Sequence, residues 1–266
     1  MYEGLGTTYE RFILHRYFQI LNSKYTIKNV LEVPAYGMTG IPGINSMWWA
    51  LNGVQVTVVD DDEQRTDDIT NSWKEVGLDA SIVFNRGNNV LEKFEDRLFD
   101  MSWNFASLWY VSDIEKLFVE LTRVTRKVIF ICVPNRANIG YWFRKGRLKR
   151  EGLNLENIKP ARIVSEMERL NWKLDEKGYF DVPPWPDIAM KKEELLEKIG
   201  LKWFAMKLRK THEDGMCILD YYSGKKKNIE DDILKYSFLE NVPQPFKGLW
   251  AHHRYFIFTP KRSKLS

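Results

Sequence analysis

The sequence predicts an α/β protein built on a largely parallel sheet. Three stretches carry that reading. Residues 29–62 run strand, glycine-bearing loop, helix, strand and acidic cluster. Residues 62–84 add a polar helix and another short apolar strand. Residues 98–135 then repeat the order strand, loop, helix, strand. Apolar strands joined through helices lie parallel, because the helix carries the chain back to the same edge in a right-handed crossover.

Each element follows from its residues. Ahead of the first strand, Thr8 is the expected cap of a helix with Tyr9, Ile13, Tyr17 and Ile20 on one side. Val30, Leu31 and Val33 make a short run suited to a buried strand. Gly37, Gly40 and Gly43 then interrupt it, and Pro34 and Pro42 deny the loop regular structure. Ile44, Met47, Trp48 and Leu51 fall at helical spacing, and Asn52-Gly53 ends that helix. Val54, Val56, Val58 and Val59 form the next strand, which stops at Asp60. Ligands of parallel sheets bind beyond the carboxyl ends of the strands, so the glycine loop and Asp60 are expected on one rim.

Further along, Ile69, Trp73 and Val76 face inward from the polar helix. Ser112 is the expected cap of a helix carrying Ile114, Leu117, Phe118 and Leu121. Residues 128–133 are the fifth strand, closing on Pro134-Asn135. Arg144, Lys145, Arg147, Lys149 and Arg150 crowd the helical tract 137–150, as a solvated face or an anion-binding rim. Residues 160–171 are amphipathic through Ile163, Met167 and Leu170, residues 173–182 read as a sixth strand, and residues 254–259 as the last. The loop at Pro183-Pro184-Trp185 is rigid. Residues 187–250 are too long for a hairpin connection and rich in aromatic side chains. They are expected to form an inserted cap on the substrate side, with 1–186 plus 251–266 as the main domain.

The stretch 29–62 resembles the nucleoside-binding half of the class I methyltransferases that use S-adenosylmethionine (SAM). In that family an acidic residue ends the first strand, a glycine-rich turn admits the cofactor, and a second acidic residue holds the ribose. The resemblance puts Glu32, then Ala35, Tyr36, Gly37, Gly40 and Gly43, then Asp60 and its neighbour Asp61 in those places. The loop departs from the family in being longer. Asn88 stands where the family often places an aspartate against the adenine, and helix capping is its rival role. The block FDMSWNFASLWYVSDIEKLFVELTRVTRKVIFICVPN is similar to the family's fourth strand, helix and fifth strand, which adds Trp103 and Asn104 to the cofactor set. Tyr9 matches a family tyrosine on a helix over the cofactor mouth, or simply packs. The resemblance implies a three-layer Rossmann-like methyltransferase fold. Its seven-stranded, mostly parallel sheet has an antiparallel last strand. SAM is the implied cofactor and S-adenosylhomocysteine the product.

Composition sets the remaining bounds. With 44% hydrophobic and 29% charged residues the chain is globular rather than disordered. Residues 1–133 hold 13 Lys+Arg against 18 Asp+Glu, and the remainder hold 27 against 18. A basic second half suits an anionic acceptor or nucleic acid, although a solvated surface is its plain alternative. Cys132 and Cys217 show no zinc-like spacing, so no metal is expected. No signal peptide or membrane-length apolar run is seen, and a cytoplasmic protein is expected.

Methyl transfer is an in-line displacement from an activated donor, so alignment can supply most of the acceleration. A base is needed only where the acceptor must lose a proton. His15, His252 and His253 are candidates, with none assigned. A small-molecule acceptor is expected, small or anionic in kind, and the oligomeric state is left open. Two rival functions remain: a SAM-binding partner protein without turnover, and a nicotinamide-dependent oxidoreductase. The second requires G-x-G-x-x-G, which VPAYGMTGIPG does not match.

Overall fold

The computed structural model describes residues 5–36, 40–85, 90–183, 218–226, 228–243 and 246–261. Seven strands form one sheet: β1 (Asn29–Glu32), β2 (Gln55–Asp60), β3 (Ser81–Phe84), β4 (Phe99–Phe105), β5 (Thr125–Pro134), β6 (Trp172–Phe180) and β7 (His253–Pro260). Their order is β3-β2-β1-β4-β5-β7-β6. The pairs among β1 to β5 are parallel, and β7 lies antiparallel between β5 and β6. This is the expected arrangement. The antiparallel β7 distinguishes it from the all-parallel dinucleotide fold that an oxidoreductase would use.

Side chains alternate across the sheet as the two-residue period of a strand demands. Val128, Phe130 and Cys132 of β5 enter one core with Trp103, and Ile129, Ile131 and Val133 enter the other. The first core is roofed by α1 (Leu5–Tyr25), α2 (Met47–Leu51) and α3 (Glu63–Glu75). The second lies under α4 (Ile114–Val124), α5 (Ile139–Arg150) and α6 (Pro160–Arg169). Fully burying one Phe or Leu is worth about 1.5–3 kcal/mol, so these two layers supply the main drive to fold.

Several local expectations are corrected. Helix α1 starts at Leu5, so Thr8 lies inside it, buried, and is not its N-cap. Ile20 is 55% exposed, and Phe12 and Phe18 are the large side chains buried beside Tyr9 and Ile13. Helix α2 is a single turn. With so little helix, Trp49 rather than Trp48 or Leu51 reaches the core. The cap of α4 is Asp113, whose carboxylate accepts from the Lys116 amide at 2.9 Å, and not Ser112. An aspartate one residue nearer the helix is the better acceptor of that orphan N–H.

Among the described residues, three further α-helices lie in the long connection between β6 and β7: α7 (Ile218–Tyr222), α8 (Ile229–Leu234) and α9 (Phe246–Trp250). They rest on α1 and on the loops after β5 and β6. Phe12 packs edge-to-face on Tyr221 at 4.9 Å, and His15 Nε2 meets the Tyr222 hydroxyl at 3.0 Å. The Asn135 and Asn138 side-chain amides donate to the Gly248 and Trp250 carbonyls at 2.6 and 2.7 Å. The expected helix at 191–199, the aromatic stretch 201–208 and the loop at Pro184-Trp185 lie outside the described residues.

Candidate active site

Among the described residues, two cavities open along the carboxyl rim of the sheet. The first, about 450 Å³, lies beyond β1, β2 and β3 and is walled by Tyr36, Asp60, Asp61, Asn85, Tyr110 and the start of α4. The second, about 170 Å³, lies beyond β4 and β5, between the start of α1 and α5. The turn at 106–111 divides them. Tyr110 lines the first cavity and its neighbour Trp109 the second.

Asp60 ends β2 and is 1% exposed. Its Oδ1 accepts from the Asp62 amide and from Arg65 Nε, both at 2.9 Å. Its Oδ2 is buried and has no hydrogen-bond partner. The α3 cap is Asp62, which accepts from the Arg65 amide at 2.9 Å, so capping does not explain Asp60. Arg65 also meets Asp61 at 2.7 Å and lies over the Tyr36 ring at 4.2 Å. Tyr36 in turn meets Tyr110 with ring centroids 4.8 Å apart. One guanidinium therefore neutralises the acidic corner and holds an aromatic wall.

The other expected residues lie deeper. Glu32 is 1% exposed, and burial pushes its pKa up to about 8, so it holds its proton at neutral pH. The Ser46 hydroxyl donates to it at 2.6 Å, and the Trp103 indole donates to Ser46 at 3.2 Å. Trp103 and Asn104 are wholly buried within β4 rather than in its exit, and both amide atoms of Asn104 lack a partner. Ala35 is bound to β2 through its amide and the Val59 carbonyl at 3.1 Å. Gly43 sits at φ +69°, and its carbonyl accepts from the Trp73 indole. A Cβ there would meet Ile69 at 2.9 Å, so the loop can pass only as glycine. Gly40 also has positive φ. Gly37 and Asn88 lie outside the described residues. The structure thus brings Tyr36, Asp60 and Asp61 to the first cavity, while Glu32, Ala35, Trp103 and Asn104 line neither cavity.

The second cavity is formed by residues that sequence reasoning largely missed: Glu10, Asn135, Asn138, Tyr141 and Arg144, with His252 and His253. Asp181 stands behind them at the end of β6, at φ +62°. That backbone conformation is strained for a residue other than glycine. Asp181 Oδ2 is 2.8 Å from His252 Nδ1 and 3.5 Å from His253 Nδ1. Burial works to raise the Asp181 pKa, but the two imidazoles hold the carboxyl below the usual range. Burial pushes Glu10 upward, with His253 Nδ1 3.6 Å away opposing it. His15 is elsewhere, enclosed by Phe12, Phe18, Trp48, Tyr221 and Tyr222, and burial keeps it neutral. Tyr9 lines neither cavity. Its hydroxyl donates to the Val182 carbonyl at 3.2 Å and contacts Glu240 at 3.1 Å, tying α1 to the rim.

This strand order, with β7 antiparallel, is that of the SAM-dependent methyltransferase fold. A family model described as "Methyltransferase domain" matches residues 39–131. Among solved structures it resembles a putative sarcosine dimethylglycine methyltransferase from Galdieria sulphuraria, at 13% identity and TM-score 0.55, covering 92% of this chain and 84% of that one. It resembles YcgJ of Bacillus subtilis at 14% identity and TM-score 0.54, covering 94% and 99%. It also resembles phosphoethanolamine N-methyltransferase 2 of Haemonchus contortus, bound to phosphomonomethylethanolamine and S-adenosylhomocysteine. There the identity is 15% and the TM-score 0.54, covering 93% of this chain and 52% of that one. No curated protein matches the chain. No helix among the described residues is long and apolar enough to cross a membrane.

Proposed function

We propose that the chain methylates a small acceptor bearing a negative charge, with SAM in the first cavity and the acceptor in the second. The pairing of two adjoining cavities across one turn carries the reading. The residues of the first suit a nucleoside: a buried carboxylate oxygen of Asp60 lacks a partner, and Tyr36 and Tyr110 offer aromatic faces. Its volume lies in the range of small-molecule sites. Asp60 would hold the ribose hydroxyls there. Bound SAM supplies an activated methyl group and a neutral leaving group.

The chain's own part is to align and to exclude water. In the second cavity, Arg144 supplies a cation and Tyr141 a hydroxyl without a partner, at the foot of the basic helix α5. A guanidinium beside a phenol suits a carboxylate or phosphate. The Haemonchus enzyme's bound phosphate ester fits the same chemistry, as support from a shared fold. Trp109 and Leu148 close the cavity with apolar surface.

The test is turnover of labelled SAM with a panel of small carboxylates, phosphates and neutral amines, read by mass spectrometry. Methylated anionic products are expected. Arg144→Ala should raise KM about tenfold or more, as loss of a charge-assisted hydrogen bond does, while leaving SAM affinity unchanged. Turnover confined to neutral acceptors, with Arg144→Ala silent, would refute the anionic reading. SAM binding without turnover of any acceptor would favour a non-catalytic partner instead.

A further inference from the structure

We propose that Glu10, Asp181 and His253 bind one divalent transition-metal ion at the edge of the second cavity. One ligand atom from each lies within 4.8 Å of the other two. His253 Nδ1 points between both carboxylates, 3.5 Å from Asp181 and 3.6 Å from Glu10, yet forms no hydrogen bond with either. Asp181 Oδ1 is likewise buried and without a partner. His253 is 7% exposed and Asp181 1%, so both atoms are buried, and His253 Nδ1 faces the two carboxylates. Orphaned groups of that kind cost about 1–3 kcal/mol each unless something answers them.

A cation answers both of these atoms, with the Glu10 carboxylate as its third ligand. Two ligand atoms each about 2.1 Å from an ion lie roughly 3.0–3.5 Å apart, so the imidazole–carboxylate spacings need only a slight contraction. The surroundings are those of a held ligand set. Phe105 and Phe180 pack on the His253 ring at 4.6 and 5.7 Å and fix its plane. His252 Nδ1 supports Asp181 from behind at 2.8 Å, the outer partner that ligating carboxylates usually have. One nitrogen and two carboxylate oxygens suit Zn²⁺ or Mn²⁺ better than Mg²⁺ or Cu⁺. Glu10 and His253 line the second cavity, which leaves the remaining coordination positions facing it. Three ligands from α1, the residue after β6, and β7, so far apart in sequence, explain why no spacing motif betrays them.

The test needs neither SAM nor an acceptor, so it stands apart from the methyl-transfer reading. The full chain, stripped with chelator, is titrated calorimetrically with Zn²⁺ and Mn²⁺, and bound metal is counted by mass spectrometry after dialysis. One ion per chain is expected. Glu10→Gln, which keeps the side-chain shape, should weaken it at least tenfold, and His252→Ala about ten- to a hundredfold through lost support. His253→Ala should abolish it, and if that variant does not fold, Glu10→Gln decides. Bound Co²⁺ should show a visible spectrum that Glu10→Gln alters. No binding at millimolar metal, or binding unchanged in folded Glu10→Gln and His253→Ala, would overturn the proposal.

Discussion

Replacing Asp60 with alanine separates holding a ligand from holding a turn. In the folded chain Oδ1 accepts from the Asp62 amide and from Arg65, and Oδ2 accepts nothing. Loss of the two internal bonds should cost about 1–3 kcal/mol of stability, partly offset because Arg65 keeps Asp61 and Asp62. If the carboxylate also holds the ribose, a charge-assisted bond worth about 1.5–3 kcal/mol disappears from binding. SAM affinity should then fall roughly ten- to a hundredfold. Asp62→Ala is the matched control. It removes the α3 cap, about 1 kcal/mol, at the same corner and should leave affinity intact. Calorimetric titration with SAM, beside thermal melts of both variants, reads the two effects apart. A lowered melting temperature with unchanged affinity in Asp60→Ala would refute the ribose assignment. No binding of SAM to the unaltered chain at millimolar concentration would refute the site as a whole.

Two buried titratable groups make predictions about pH. Burial, with Arg11 nearby, keeps His15 neutral and its pKa well below the ordinary value. A histidine whose folded pKa is depressed contributes stability that is full above its unfolded pKa, about 6.5, and is lost below it at up to about 1.4 kcal/mol per pH unit. Urea titrations at pH 7.5 and 5.5 should therefore show a steeper loss in the unaltered chain than in His15→Phe, and equal slopes would contradict the buried neutral ring. Asp100 is the converse case. Burial opposes its ionisation, but Arg126, Lys127 and the Lys28 amide hold its pKa down to about 2. Its contribution, on the order of 2 kcal/mol, is present above about pH 4 and lost as pH falls toward 2. Asp100→Asn should lower stability at pH 7 by about that amount and flatten the acid limb. An unchanged acid limb would show that Asp100 carries no such linkage.

Strand periodicity made the sheet readable, since β1 to β5 are buried on both faces and their valine, isoleucine and phenylalanine runs have no other home. Asp60 was readable for a related reason: it is the acidic residue at which an apolar strand stops. Helix starts were less legible. Ser112 and Asp113 are both good caps, and only the backbone decides between them. Trp103 and Asn104 joined the cofactor set by resemblance alone; β4 runs one residue past them, and both are buried and line neither cavity. The second cavity was hardest. Glu10 sits in a helix with no acidic pattern, and Asp181 read as one more residue of the sixth strand, 173–182. Only the return of β7 beside β6 brings His252 and His253 to meet them. The pair His252-His253 was the one visible signal.

The junction between β6 and β7 also bears on how this chain can change. Phe180 and His253 are paired across the sheet, and the His252 amide donates to the Asp181 carbonyl at 2.9 Å. The long connection therefore leaves and rejoins the sheet through a single doorway, latched a second time by Asp181 Oδ2 and His252 Nδ1. Closing a loop costs free energy only logarithmically in its length, about 0.6 kcal/mol for each doubling. The sheet is thus nearly indifferent to how much chain passes through that doorway. It is a natural graft point, where relatives can lengthen, shorten or exchange the intervening tract while β7 keeps its register and Asp60 its corner.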